Sequence, residues 1–222
     1  MTVGRFFRSN NLTVVIFAIF LFSIVGMSIA GWLTNNETLT EHRQSKISYG
    51  AYLVSGEFIE GVFENWESEF LQMWALIMLT VYLRQKGSAD SKPIRGSAPQ
   101  DTSSRYSIIN ATSWQHRSKA IGHTIYSHSL GLAMLLLFIL SFTLHAVGGL
   151  TAHNQDALQH GLAQSSFLEF IASSEFWYQS LQNWQSEFLA IGTLLVLSIK
   201  LRERGSPESK PVGRKYDHKT GE

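Results

Sequence analysis

Eighteen consecutive residues, Thr13 to Ala30, carry no charge. A helix that is apolar on every side is stable only inside a large core or inside a bilayer. A second uncharged run covers Leu130 to Leu144, and two shorter apolar stretches cover Phe70 to Leu83 and Phe188 to Leu201. A span needs about 20 residues to cross roughly 30 Å of hydrocarbon. Leu12 to Leu33 and Ser129 to Leu150 meet that length. The two 14-residue stretches reach only about 21 Å at the helical rise per residue. They span only if the preceding turn, Trp66 to Glu69 and Trp184 to Glu187, also lies at or below the headgroups. The expected fold is an all-α integral membrane protein with four transmembrane helices.

Lysine and arginine placement orients such a protein. With both termini inside, sixteen basic residues fall on inner segments, and only Arg43 and Lys46 fall on outer ones. The bias predicts an N-in, C-in, multi-pass topology. Arg5, Arg8 and the small residues Ser28 and Ala30 also resemble the parts of a cleavable leader. The apolar run is longer than a usual leader core, and a counterpart recurs as the third span, so the first span is expected to be retained.

That recurrence is part of a tandem duplication, which is worth seeking before any other pattern. At an offset of 118, Ser55 to Ile94 aligns without a gap on Ser173 to Val212, with 18 identities in 40 positions. NWESEFL at Asn65 to Leu71 matches NWQSEFL at Asn183 to Leu189, and GSADSKP at Gly87 to Pro93 matches GSPESKP at Gly205 to Pro211. Upstream, Leu12 matches Leu130, Gly31 Gly149, Asn36 Asn154 and His42 His160. Two spans per copy is an even number, so both copies enter the membrane the same way. They form parallel-repeat helical hairpins, unlike the inverted repeats of rocking transporters. The predicted segments are a first two-span repeat over 1–94, a cytoplasmic linker over 95–118, a second repeat over 119–212 and a cytoplasmic tail over 213–222.

Each outer loop is expected to hold about thirty residues. Ser55 and Ser173 look like N-caps, with Glu57 and Glu175 in the first turn, where a helix dipole favours an anion. Phe58, Val62, Trp66 and Phe70 repeat every four residues, predicting one helix from about Gly56 to Lys86. Gly87 and Gly205 stand where a glycine stop belongs. Short aromatic stretches, Ile47 to Val54 and Phe167 to Ala172, are expected along the outer interface, and a surface helix over Tyr106 to Tyr126.

Composition excludes several classes of function. A net charge of +1 excludes a nucleic-acid binder driven by bulk electrostatics. The absence of cysteine excludes disulfides, thiolate metal sites and a cysteine nucleophile. No nucleotide loop, nucleophile elbow or hydride-cofactor motif occurs, so neither an enzyme nor a cofactor is expected.

The doubled NWxSEFL and GSxxSKP strings, with AGWLTNNE after the first span and HSLGLAMLLLFILSFTLHAVGG around the third, resemble an uncharacterised bacterial family of four-span membrane proteins, a domain of unknown function. The resemblance covers nearly the whole chain. It implies an architecture and a bacterial inner membrane, without an activity.

Candidate site residues follow from depth. Glu69 and Glu187 lie 15 residues above Arg84 and Arg202, or about 22 Å, short of the outer edge of the hydrocarbon. An ionisable group there suggests function. The alternative is an interface role, with Trp66 and Trp184 in an aromatic belt and Arg84 and Arg202 anchoring the inner side. His145, in the outer half of the third span, with Ser68 and Ser186, could partner the glutamates. His42, His153 and His160 share the outer loops with Glu37, Glu41 and Asp156, but at no metal-ligand spacing.

The expected function is that of a non-enzymatic envelope protein with an accessory, structural or sensing role. A small channel or proton-coupled permeation protein using Glu69 and Glu187 is the alternative, and an outer-loop metal-binding subunit is a third. The expected partner is the lipid bilayer, with a homo-oligomer or a membrane-complex partner left open.

Overall fold

The structure is a computed structural model that describes residues 7–88, 90–96, 98, 101 and 122–213. Most of the predicted linker, most of the surface helix predicted over 106–126 and nearly all of the C-terminal tail lie outside the described residues. The rest is helical, with no strand among the described residues. Its order is α1 (Asn11–Glu41), α2 (Tyr49–Tyr52), α3 (Gly56–Tyr82), α4 (Ser129–Gln159), α5 (Phe167–Ile171) and α6 (Ser174–Lys200).

α1 and α4 are long and apolar enough to cross a membrane. Only 6% of the most apolar window of α1 and 17% of that of α4 are buried by the rest of the chain. A core helix in a water-soluble fold would hide such a window. Here Phe22 is 81% exposed and Leu136 67%, far beyond the scattered apolar exposure of ordinary soluble surfaces.

Both helices run past the expected loop boundaries near Leu33 and Leu150. Thr38 and Thr40 turn their hydroxyls back onto the carbonyls of Thr34 and Asn36, which hides polar groups on a helical rather than a loop backbone. What remains of each outer connection is a tight turn and a short helix. α1 ends with the N–H groups of Arg43 and Gln44 on the carbonyls of Thr40 and Leu39, and α4 ends with those of Gly161 and Leu162 on Leu158 and Ala157. This is the same six-to-one and five-to-two closure at both ends. It requires positive φ, 68° at Gly161 and 58° at the non-glycine Arg43.

The chain divides into two compact units, one from 1–62 and 144–173, the other from 63–143 and 174–222. Each draws segments from both copies of the repeat. In the first unit the duplication is visible bond by bond. Asn36 brackets the backbone of Ile47 just as Asn154 brackets Ser165. Ser48 and Ser166 cap α2 and α5, the latter as a capping box with Glu169. The buried rings of Tyr52 and Phe170 occupy the space a side chain would need at Gly31 and Gly149. The first turns of α3 cross α4 at Gly56 and Gly148. A β-carbon on either glycine would stand 2.6 Å from the backbone nitrogen of Ala152 or Glu60, so the two backbones meet as at small-residue helix crossings in membranes.

The second unit packs the later turns of α3 and the first half of α4 against α6. Phe138, Phe142, Phe176, Trp177 and Trp184 form a chain of edge-on and tilted ring contacts with centroids 5.3–6.4 Å apart. Such pairs contribute about 0.5–1.5 kcal/mol each beyond burial.

Candidate functional site

The sequence singles out Glu69 and Glu187, and the structure leaves Glu69 exposed and Glu187 half-buried. The two carboxyls lie close enough to repel one another. Ser68 is buried and Ser186 exposed, and each hydroxyl is spent on the carbonyl of the asparagine three residues back. Trp66 stacks edge-on with Phe63 and Phe70. His145 has no exposed surface. Arg84 donates to the carbonyls of Tyr82 and Pro93, and Arg202 to those of Ser198, Ile199 and Leu201. Both arginines therefore cap helix C-termini, where a cation meets the negative end of the dipole.

The polar centre of the second unit is built from other residues. Glu67 is fully buried, and the Trp184 indole N–H donates to its Oε1 at 3.2 Å. One turn earlier, Asn183 Nδ2 donates to Glu64 Oε1 at 2.7 Å. Ser180 Oγ, one turn up α6 on the same face, is buried without a hydrogen-bond partner among the described residues. Within the first unit, Asn35 donates to Glu57.

Glu57, Glu60, Glu64 and Glu67 are spaced by three, four and three residues, which places them on one helical face. That spacing was the signal in the sequence. Depth alone selects Glu69, which two residues of helix turn about 200° away from Glu67. The second copy has Gln182 and Gln185 at the positions of Glu64 and Glu67, so the carboxylates belong to one repeat and the indole and amide that hold them to the other.

At the far ends of α3 and α6 the two GSxxSKP strings fold into the same loop. Ser91 Oγ accepts from the Gln85 N–H at 2.7 Å and Ser209 Oγ from that of Glu203 at 2.9 Å. Ser88 and Ser206 accept from the N–H of Asp90 and Glu208, and Ser91 and Ser209 donate to the next carbonyl. Gly87 and Gly205 supply φ of 84° and 88°. The glycines sit in this loop, five residues beyond the last helical residue, rather than at the helix stop. Burial, and then the charge of Glu208, pushes the Asp90 carboxyl above the usual aspartate range. A cavity of 260 Å³ opens beside the loop, walled by leucines of α3 and by Phe188, Ile191 and Leu195 of α6.

In the outer turns, the His42 and His160 rings meet edge-on at 5.8 Å, and His160 lies 3.4 Å from Asp156. Among the described residues, no group of three or more histidine or carboxylate side chains is placed to hold a metal ion.

Fold and site together define an all-helical protein with two helices long and apolar enough to cross a membrane and a buried carboxylate held by an indole. Residues 3–222 match the family described as Domain of unknown function (DUF6766), and the chain belongs to it. No curated protein and no solved structure matches the chain.

Proposed function

We propose that the chain is a four-span protein of the bacterial cytoplasmic membrane, N-in and C-in. Its non-enzymatic accessory or sensing role is organised around the carboxylate-bearing face of α3. In this reading α3 and α6 cross the bilayer beside α1 and α4, and the two repeats are parallel hairpins. The sixteen-to-two basic bias, the uncovered apolar sides of α1 and α4 and the arginine-capped ends of α3 and α6 support that placement.

One observation carries the functional reading. Glu67 has no exposed surface, on a helix that this reading puts in the membrane. An ionisable group there costs a few kcal/mol and by default marks a functional position. The permeation reading through Glu69 and Glu187 draws support from the closeness of those two carboxyls. It ranks second because Glu69 is exposed and the pair is not enclosed.

The cysteine-free chain suits single-cysteine labelling. Cysteines at Glu37 and Asp156 should react with an impermeant maleimide in intact cells, and cysteines at Lys86 and Arg204 only after permeabilisation. Outer labelling at Lys86 or Arg204 refutes the topology. In proteoliposomes, proton and cation flux should equal that of empty vesicles. Flux that Glu69→Gln and Glu187→Gln abolish would replace this reading with the permeation one.

A further inference from the structure

The cavity beside the GSADSKP loop has two chemically distinct ends. One wall is apolar: Leu76 and Leu79 of α3, and Leu83 just past its end, face Phe188 and Leu195 of α6. From Leu76 to the end of α3 at Tyr82 this wall runs about 9 Å along the helix, and Leu83 and Arg84 extend it. The other end is lined by Arg84, Gln85, Asp90 and Ser91. At 260 Å³ it falls just below the range of about 300–1,000 Å³ typical of compact-ligand pockets. Its length favours a chain-like occupant with a polar head.

The charges at the mouth identify the head. Arg84 keeps a guanidinium there while its Nε and Nη1 hold backbone carbonyls, and a planar guanidinium suits a phosphate. Asp90 lines the same mouth, and the charge of Glu208, its repeat counterpart outside the lining, reaches it. The Asp90 carboxyl at the mouth suits a cationic group of the occupant. A guanidinium and a carboxylate at one mouth match a zwitterion whose phosphate and ammonium are joined by a short linker.

We propose that this groove between α3 and α6 is a binding site for one aminophospholipid. An acyl chain lies along Leu76, Leu79, Leu83, Phe188 and Leu195, the phosphate meets Arg84, and the ammonium meets Asp90. The proposal rests on the four-span reading, which puts the ends of α3 and α6 at the inner headgroups. The Ser88 and Ser91 bonds that shape the loop then serve to hold Asp90 at the mouth.

The test uses the full chain in mild detergent, stripped of lipid and titrated with phosphatidylethanolamine or phosphatidylglycerol under native mass spectrometry. The expected result is one phosphatidylethanolamine per chain, bound at least fivefold more tightly than phosphatidylglycerol. Leu195→Trp, which fills the groove, should abolish retention. Asp90→Asn, a polar change in an inner loop, should erase the preference for the amine while leaving one lipid bound. Equal affinity for the two lipids overturns the proposal, as does retention unchanged by both variants. Full competition by soluble phosphorylethanolamine, which has no acyl chain, also overturns it. Lipid binding that fails while the cysteine-labelling pattern holds removes this site alone; a failed labelling pattern removes the topology as well.

Discussion

Asn36 and Asn154 stand 118 positions apart and make the same two bonds. Each side-chain oxygen accepts from a backbone N–H eleven residues later at 2.7 Å, and each side-chain nitrogen donates to that residue's carbonyl, at 3.1 Å for Ile47 and 3.0 Å for Ser165. One amide thus satisfies both backbone groups where the chain leaves the turn after a long helix.

Asn36→Ala and Asn154→Ala strand those backbone groups, so each should cost about 1–3 kcal/mol. Thermal unfolding of the purified protein in detergent reads this directly. Unchanged midpoints for both variants would show that the brackets carry no stability.

Arg43 occupies the left-handed turn position that Gly161 fills in the second copy. A side chain there costs about 1–2 kcal/mol, partly offset by the unfolded-state entropy a glycine adds. Arg43→Gly should leave the midpoint unchanged or raise it by a few degrees, and Gly161→Arg should lower it. A clear loss of stability in Arg43→Gly would mean that the arginine side chain makes contacts outweighing its strain.

Ser166 holds Glu169 below the usual glutamate range, first through its backbone N–H and then through its hydroxyl. A depressed folded-state value contributes stability above the unfolded value of about 4.3, and the contribution is lost as pH falls through the lowered folded value. Glu169→Gln keeps a capping acceptor without the charge. Its midpoint should therefore fall less steeply than the wild type's as pH drops below about 4.3. Parallel curves would remove Glu169 from the acid response.

Glu67 and Trp184 should be energetically coupled. A double-mutant cycle with Glu67→Leu and Trp184→Phe should give a coupling of about 0.5–3 kcal/mol, whereas Glu67→Gln, which preserves an oxygen for the indole, should be the mildest change at this position. A coupling indistinguishable from zero would show that the buried carboxyl is held by other groups.

The helical class was legible because apolar run length and four-residue spacing report directly on helices. The repeat was legible because residues such as Asn36 and Asn154 still do identical local work. The outer ends of α1 and α4 are not legible in the sequence, since both helices run past the polar residues that suggest a loop. Asn36, Thr38 and Thr40 after Leu33 read as loop, yet the two threonine hydroxyls fold back onto helix carbonyls and Asn36 reaches across to Ile47. The burial of Glu67 is not legible from depth, which selects Glu69, because depth along a helix says nothing about azimuth. The role of the GSxxSKP strings was equally hidden, since a serine hydroxyl closing a six-residue loop leaves no periodic trace.

The two compact units each take segments from both copies of the repeat, and that division bears on how such a chain can arise. A polypeptide carrying a single copy would supply one side of either unit and would have to find a twin to complete it. Joining the copies in one gene replaces that encounter with a tether, so assembly no longer depends on the concentration of separate copies. It also frees the copies to diverge: one now carries carboxylates at 64 and 67, and the other amides at 182 and 185. A pair of identical chains could not have drawn that distinction.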